Sequence, residues 1–139
     1  MKSNETTLHA TTVAVDGKGV LITGPSGAGK STLAIGLIGR GAGLVADDRT
    51  HLEVEKGRVI ARAPQTIEGR IEARGVGLIK VPAHPPVPLR LVIDLAQEET
   101  ERLPYAHVSH VLGIGLPCLH KVDTPHFPDI VMLYVKGNI

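Results

Sequence analysis

The segment Gly24-Pro25-Ser26-Gly27-Ala28-Gly29-Lys30-Ser31 fits the pattern G-x-x-x-x-G-K-[ST] and limits what this chain can fold into more than any other stretch does. The pattern has physical content only between a strand and a helix, and both are legible here. Gly19 to Thr23 is rich in β-branched residues, and after Gly29-Lys30-Ser31 the apolar residues Leu33, Ala34, Leu37 and Ile38 form one helical stripe that Gly41 and Gly43 stop. Glycines in such a loop let successive backbone N–H groups converge on phosphate oxygens, and the helix N-terminus adds partial positive charge. In that setting Lys30 reaches β- and γ-phosphates, and the Ser31 hydroxyl is a ligand for Mg²⁺, which prefers oxygen donors.

The rest of the chain reads mainly as strands. Thr11 to Val15 and Gly19 to Thr23 flank an Asp16-Gly17-Lys18 turn, and His51 to Glu55 and Arg58 to Arg62 flank Lys56-Gly57. Leu44 to Ala46 reads as a short buried strand, and further strands are expected at Ile67 to Ile71, Gly77 to Val81, Leu89 to Leu95 and Ile130 to Val135. A short helix is expected within Gln97 to His107. The expected fold class is therefore α/β, a strand-rich, P-loop-containing single domain over residues 1–139 with one main helix after the loop.

Composition narrows the function. Lys plus Arg number 15 against 14 Asp plus Glu, so no general polyanion surface exists and phosphate binding must be local. Phe127, Tyr105 and Tyr134 are the only aromatic residues, too few for the stacking platforms of single-strand binders, so no nucleic-acid partner is expected. The single cysteine, Cys118, excludes an intramolecular disulfide and reads as a small buried hydrophobe. Met1 to Thr12 lacks an apolar signal region and the longest apolar run, Ile130 to Val135, is too short to span a bilayer, so a cytoplasmic protein without a membrane partner is expected.

Phosphoryl transfer with a P-loop also needs a carboxylate near the metal. Asp47 and Asp48 end the short buried strand, which is expected to run beside the first strand at its carboxyl end. Two adjacent acids suggest two roles: Asp47 anchors Mg²⁺ through water or Ser31, and Asp48 accepts the proton of an attacking hydroxyl. The plain alternative for either acid is the start of a turn into the next hairpin. His9 alone reads as a surface strand histidine, and Glu72 with Arg74 as an ion pair across a turn.

Nucleotide and shikimate-type kinases repeat β-α units throughout, unlike this chain, and His120-Lys121-Val122-Asp123 lacks the Asn of a GTPase base-reading motif. The chain instead resembles the catalytic domain of HPr kinase/phosphorylase, over roughly Leu8 to Leu103. The blocks that carry the resemblance are Leu8-His9, the segment from Gly19 to Ser31, Arg40-Gly41-Ala42-Gly43-Leu44-Val45-Ala46-Asp47-Asp48-Arg49, and Ile71-Glu72-Ala73-Arg74-Gly75-Val76-Gly77-Leu78-Ile79. The last block, Glu-x-Arg-Gly-x-Gly, is the family's own mark.

The resemblance implies an HPr kinase/PEP carboxykinase-like fold and Mg²⁺-dependent transfer of phosphate from ATP, or in some members pyrophosphate, to a serine of the phosphocarrier protein HPr. By position, Asp48 matches the family's base, Lys30 the phosphate-binding lysine and His9 the histidine near the transferred phosphate. Ser31 and Glu72 match the magnesium ligands, and Arg102 in Glu101-Arg102-Leu103 is the best match to a further catalytic arginine. Arg74 is a second arginine suited to neutralising the transferred charge.

The chain resembles a short form, beginning almost at the catalytic histidine, without the N-terminal domain of longer members. Those members are hexamers, so a homo-oligomer is an open expectation. After Pro117 it reads Cys118-Leu119-His120-Lys121-Val122-Asp123-Thr124-Pro125, not the basic proline-glycine loop linked to dephosphorylation, so phosphorolysis is not carried over. Two other functions stay open: a non-catalytic ATP-binding regulatory sensor and a small-molecule P-loop kinase. His107, His110, Cys118, His120 and His126 match no structural zinc spacing and read as a solvated histidine cluster.

Overall fold

The computed structural model describes residues 4–64 and 69–139. β1 (Glu5–Leu8), β2 (Thr11–Val15) and β3 (Lys18–Thr23) lead into α1 (Lys30–Ile38). They are followed by β4 (Gly43–Ala46), β5 (Thr50–Glu55), β6 (Arg58–Arg62), and the hairpin of β7 (Arg70–Ala73) and β8 (Gly77–Lys80). The chain closes with β9 (Val87–Glu98), β10 (His107–Val111), β11 (Ile114–Lys121) and α2 (Phe127–Asn138). Among the described residues, one sheet has nine strands, in the order β1-β5-β6-β9-β3-β2-β4 with β11 also on β9 and β10 on β11; β7 and β8 form a separate pair.

The central strand β9 runs parallel to β3 and to β11. Gly19 pairs with Leu89 and Val20 with Leu91, so Arg90 is an extra residue in β9. Such a bulge reverses which residues face each side of a strand. Accordingly Val87 and Leu89 belong to one core, with Ala10, Ala14, Leu21, Leu52 and Val92, whereas Leu91, Ile93 and Leu95 join the other, with Val13, Val15, Ile22, Leu33 and Leu37 of α1. The sheet is thus buried on both faces across its middle, which is why β2 and β3 read as nearly unbroken apolar runs.

The expected strands at Thr11 to Val15, Gly19 to Thr23, Leu44 to Ala46, His51 to Glu55, Arg58 to Arg62, Gly77 to Val81 and Leu89 to Leu95 are present within a few residues. Of the expected strand Ile67 to Ile71, residues 67 and 68 lie outside the described residues, and β7 begins at Arg70. β4 does pair with Thr11–Val15, but antiparallel, so Asp47 and Asp48 emerge at the amino end of that strand rather than its carboxyl end. Because β2 is itself antiparallel to β3, this is the edge where β3 delivers the glycine-rich loop.

Two expectations are corrected. Ile130 to Val135 is not a strand but the middle of α2, which stands beside the main helix α1 among the described residues. A short apolar run does not distinguish strand from buried helix, and here Phe127, Val131, Met132 and Val135 form the buried stripe at helical spacing. Pro128 and Asp129 open the helix, as suits an N-terminal turn, and Lys18 Nζ donates to the carbonyls of Val135 (3.0 Å) and Ile139 (2.6 Å) at its end. Gly36 of α1 admits α2, since a Cβ there would stand 3.0 Å from Pro128 Cγ. Gln97 to His107 holds no helix: β9 continues to Glu98, an irregular segment follows, and β10 begins at His107. Pairing of Glu98 with Lys121, continued by Glu99 N–H donating to the Lys121 carbonyl at 2.8 Å, outweighs the local helical preference. No helix among the described residues is long and apolar enough to cross a membrane.

Candidate active site

A cleft of about 760 Å³ opens at the edge where β3 ends, lined by the glycine-rich loop, the Asp47-Asp48-Arg49 segment, His9 and the β7–β8 hairpin. That volume lies within the range of small-molecule sites. The loop closes on itself through Ala28 N–H donating to the Pro25 carbonyl at 3.0 Å. Gly29 caps α1 in a left-handed conformation, φ +98°, a region that L side chains rarely enter. The Lys30 side chain is buried, and its ammonium donates to the carbonyls of Gly24 at 2.7 Å and Pro25 at 3.1 Å. Ser26, Gly27, Gly29, Lys30 and Ser31 line the cleft.

The two aspartates are consecutive yet turned to different partners. Asp47 Oδ1 accepts from Ser31 Oγ at 2.9 Å and from Thr11 Oγ1 at 3.0 Å. Asp48 has φ +70°, a left-handed conformation that Asp tolerates better than most residues, and its Oδ1 lies 2.8 Å from His9 Nε2. Thr11 Oγ1 also accepts from the Asp48 N–H at 3.3 Å, so one fully buried hydroxyl ties both acids to the start of β2. His9 reaches this point because β1 pairs with β5 in the register Leu8 to Thr50, which brings the chain before β2 against the segment after β4.

Glu72 and Arg74 lie on β7 and in the turn after it, and both line the cleft. The hairpin is docked by Ile71, fully buried in the core that includes α1. The cleft therefore gathers His9, Lys30, Ser31, Asp47, Asp48, Glu72 and Arg74 from elements far apart in the sequence. Arg102 is not among its lining residues; it lies exposed in the segment between β9 and β10, while Arg49 and Arg70 line the cleft beside Arg74. Thr11 is the residue that sequence reasoning passed over. A signal was present: Thr11-Thr12 is a polar pair opening a strand buried along its whole length, and buried hydroxyls need partners.

Ser31, Asp47 and Glu72 offer only oxygen donors, which suits a hard divalent cation such as Mg²⁺. The 2.9 Å contact of Ser31 with Asp47 shows that two of these side chains already converge.

The family model for the HPr Serine kinase C-terminal domain matches residues 2–108. A protein named HPr kinase/phosphorylase from Verminephrobacter eiseniae is 35% identical over 133 residues, covering 86% of this chain and 42% of the relative. One of the same name from Bordetella pertussis is 40% identical over 124 residues, covering 81% of this chain and 40% of the relative. The chain thus spans less than half the length of these relatives. The solved structure of the Hpr(Ser) kinase/phosphatase from Coxiella burnetii superposes with a TM-score of 0.79 at 29% identity, covering 95% of each chain. The glycine-rich loop, the paired aspartates and the Glu72–Arg74 hairpin meet in one cleft, and this chain belongs to the HPr serine kinase C-terminal domain family.

Proposed function

We propose that this chain is a Mg²⁺-dependent protein-serine kinase that transfers the γ-phosphate of ATP to a serine of the phosphocarrier protein HPr. The observation that carries this reading is the division of labour between neighbouring acids. Asp47 is bonded to Ser31, the metal-ligand position of the loop, while Asp48 is turned the other way, to His9, at the mouth of the same cleft.

In this reading the amides of Ser26 to Ser31 hold the phosphate chain, and Lys30 transfers its ammonium from the loop carbonyls to the β- and γ-oxygens. Mg²⁺ held by Ser31, Asp47 and Glu72 would neutralise charge on those oxygens. Asp48 orients the serine hydroxyl, whose oxygen bonds to phosphorus as the bond to the ADP oxygen breaks, and the proton passes to Asp48. A strong base is unnecessary, since in a loose transition state the proton leaves late. His9 steadies the Asp48 carboxylate, and Arg74 is assigned the neutralising role for which the sequence also offered Arg102.

Asp48→Asn tests the proposal, because Asn also tolerates the left-handed backbone and can keep a hydrogen bond to His9. With labelled ATP and HPr, phosphoserine formation should fall by about 10²–10⁴-fold while nucleotide binding is retained. Unchanged turnover would remove Asp48 from the chemistry. Nucleotide binding by the unaltered chain without any transfer to active HPr would reject the kinase reading in favour of a nucleotide sensor.

A further inference from the structure

A second group of ionisable side chains lies apart from the cleft, where the sheet leaves β9. Thr23, Asp94 and His120 stand in one row across the parallel strands β3, β9 and β11, so this group shares the sheet edge with the glycine-rich loop but sits two strands away. Glu99 follows β9, His107 opens β10, and His120 lies near the end of β11. His107 pairs across the hairpin with Cys118, two residues before His120, so the two imidazoles are diagonal neighbours on one face. That face is the one away from α1, since Cys118 belongs to the core on that side.

The donors converge. Glu99 Oε1 lies 2.8 Å from His107 Nε2 and 3.9 Å from His120 Nδ1. The imidazole rings stack with centroids 3.9 Å apart and planes within 12°. The carboxylate is held in place through its other oxygen, since Glu99 Oε2 accepts from the N–H groups of Thr100 and Glu101, each at 3.1 Å. Its backbone N–H is tied to Lys121, so the residue is fixed at both ends while Oε1 faces the rings. Such backbone anchoring of a carboxylate is how metal sites orient their ligands. With side-chain exposures of 12%, 31% and 16% for Glu99, His107 and His120, the cluster is sheltered but open to an entering ion.

We propose that Glu99, His107 and His120 form a binding site for a divalent transition-metal ion of borderline softness, with Zn²⁺ as its representative. Two imidazoles and one carboxylate suit such ions better than Mg²⁺, which prefers all-oxygen sites. One ligand atom from each residue lies within 4.8 Å of the other two. A tetrahedral centre with bonds of about 2.0–2.1 Å separates its donors by about 3.3 Å, so closure draws the donor atoms together through rotation of the two imidazoles. The stacked rings must splay for their lone pairs to meet at one point. The ion would then staple the end of β9 to β10 and β11, with a fourth position left for water or another ligand. Cys118 Sγ is not among the converging atoms and is directed to the Leu119 carbonyl at 3.7 Å, so it is not counted among the donors.

The test uses the full chain, stripped by chelator, held in millimolar Mg²⁺ to fill oxygen-donor sites, and titrated with Zn²⁺. One equivalent should bind saturably. In long-range ¹H–¹⁵N spectra the imidazole signals of His107 and His120 should move while those of His9, His110 and His126 stay. His107→Gln and His120→Gln should each weaken Zn²⁺ binding at least tenfold, and His110→Gln should leave it unchanged, with circular dichroism confirming that each variant is folded. Lack of saturable uptake, or uptake undiminished in the double glutamine variant, would overturn the site. So would movement of the His9 signal in place of His107 and His120 in the unaltered protein, which decides the matter even if a variant fails to fold.

Discussion

Thr11→Val is the substitution that best separates the geometry of the site from general packing. Thr11 and Thr12 are adjacent, both fully buried, and both on β2, yet their hydroxyls differ in what they hold. Thr11 donates to the Asp47 carboxylate and accepts from the Asp48 N–H. Thr12 meets Thr50, whose own proton goes to the Ala10 carbonyl at 2.9 Å and stays satisfied when Thr12 is replaced. A hydrogen bond to a charged group contributes about 1.5–3 kcal/mol and a neutral one about 0.5–1.5. Thr11→Val should therefore destabilise the protein by about 2–3 kcal/mol and Thr12→Val by about 1 kcal/mol or less. For a chain of this size that is about 8–12 °C in Tm against about 4 °C or less. Thr11→Ser keeps the hydroxyl and loses one buried methyl, so it should recover all but about 1 kcal/mol. If the proposed kinase reading holds, Thr11 acts through Asp47 and Asp48, and Thr11→Val should also lower kcat for phosphoryl transfer more than it raises KM, while Thr11→Ser should restore kcat. Thermal melts and kinetics of the three variants give the answer. Equal melting shifts for the two valine variants, or a serine variant as damaged as the valine one, would refute the reasoning.

Other outcomes follow from packing and charge. A two-stranded hairpin is marginal alone, so Ile71→Ala, with an expected loss of about 2–5 kcal/mol, should strip hydrogen-exchange protection from β7 and β8 while β3 and β9 keep theirs; uniform loss would show that the hairpin is not a separately docked unit. The Arg40 guanidinium, bonded to Asp129 between α1 and α2, holds that carboxyl below its usual range. A depressed native pKa adds stability above the unfolded value and loses it as pH falls through the native one. The stability gap between the unaltered protein and Asp129→Asn should hold at neutral pH and shrink below about pH 4; a gap independent of pH would discount the pair. Burial raises the Cys118 thiol, so iodoacetamide should label it at least tenfold faster in urea than in the native state at pH 8. By the same linkage its contribution to stability is complete below the usual thiol range and fades as pH rises through the raised native value; rapid native labelling would contradict the burial.

Local chemistry determined much of this protein. The glycine-rich loop, its preceding strand and the helix after it follow from the residues at Gly19 to Ile38, because phosphate-cradling geometry demands those types at that spacing. Asp47 and Asp48 stood out as adjacent acids ending a short buried strand and Arg74 as an arginine suited to neutralising transferred charge, whereas Glu72 stood out as a metal ligand only through the Glu-x-Arg-Gly-x-Gly block that carries the family resemblance. Where the short apolar run Ile130 to Val135 carried no decisive period, the strand reading was wrong, and packing against Gly36 and the core around α1 selected the helix. Tertiary pairing alone decided that β4 lies antiparallel to β2, which puts the aspartates at the amino end of that strand and makes Thr11 their shared anchor. It also left Arg102 outside the cleft and brought His107 and His120 face to face from opposite strands of a hairpin. Spacing along a chain reveals groups that act through their immediate backbone, whereas contacts between distant strands depend on register, and register is set by the sum of all pairings and the core they enclose.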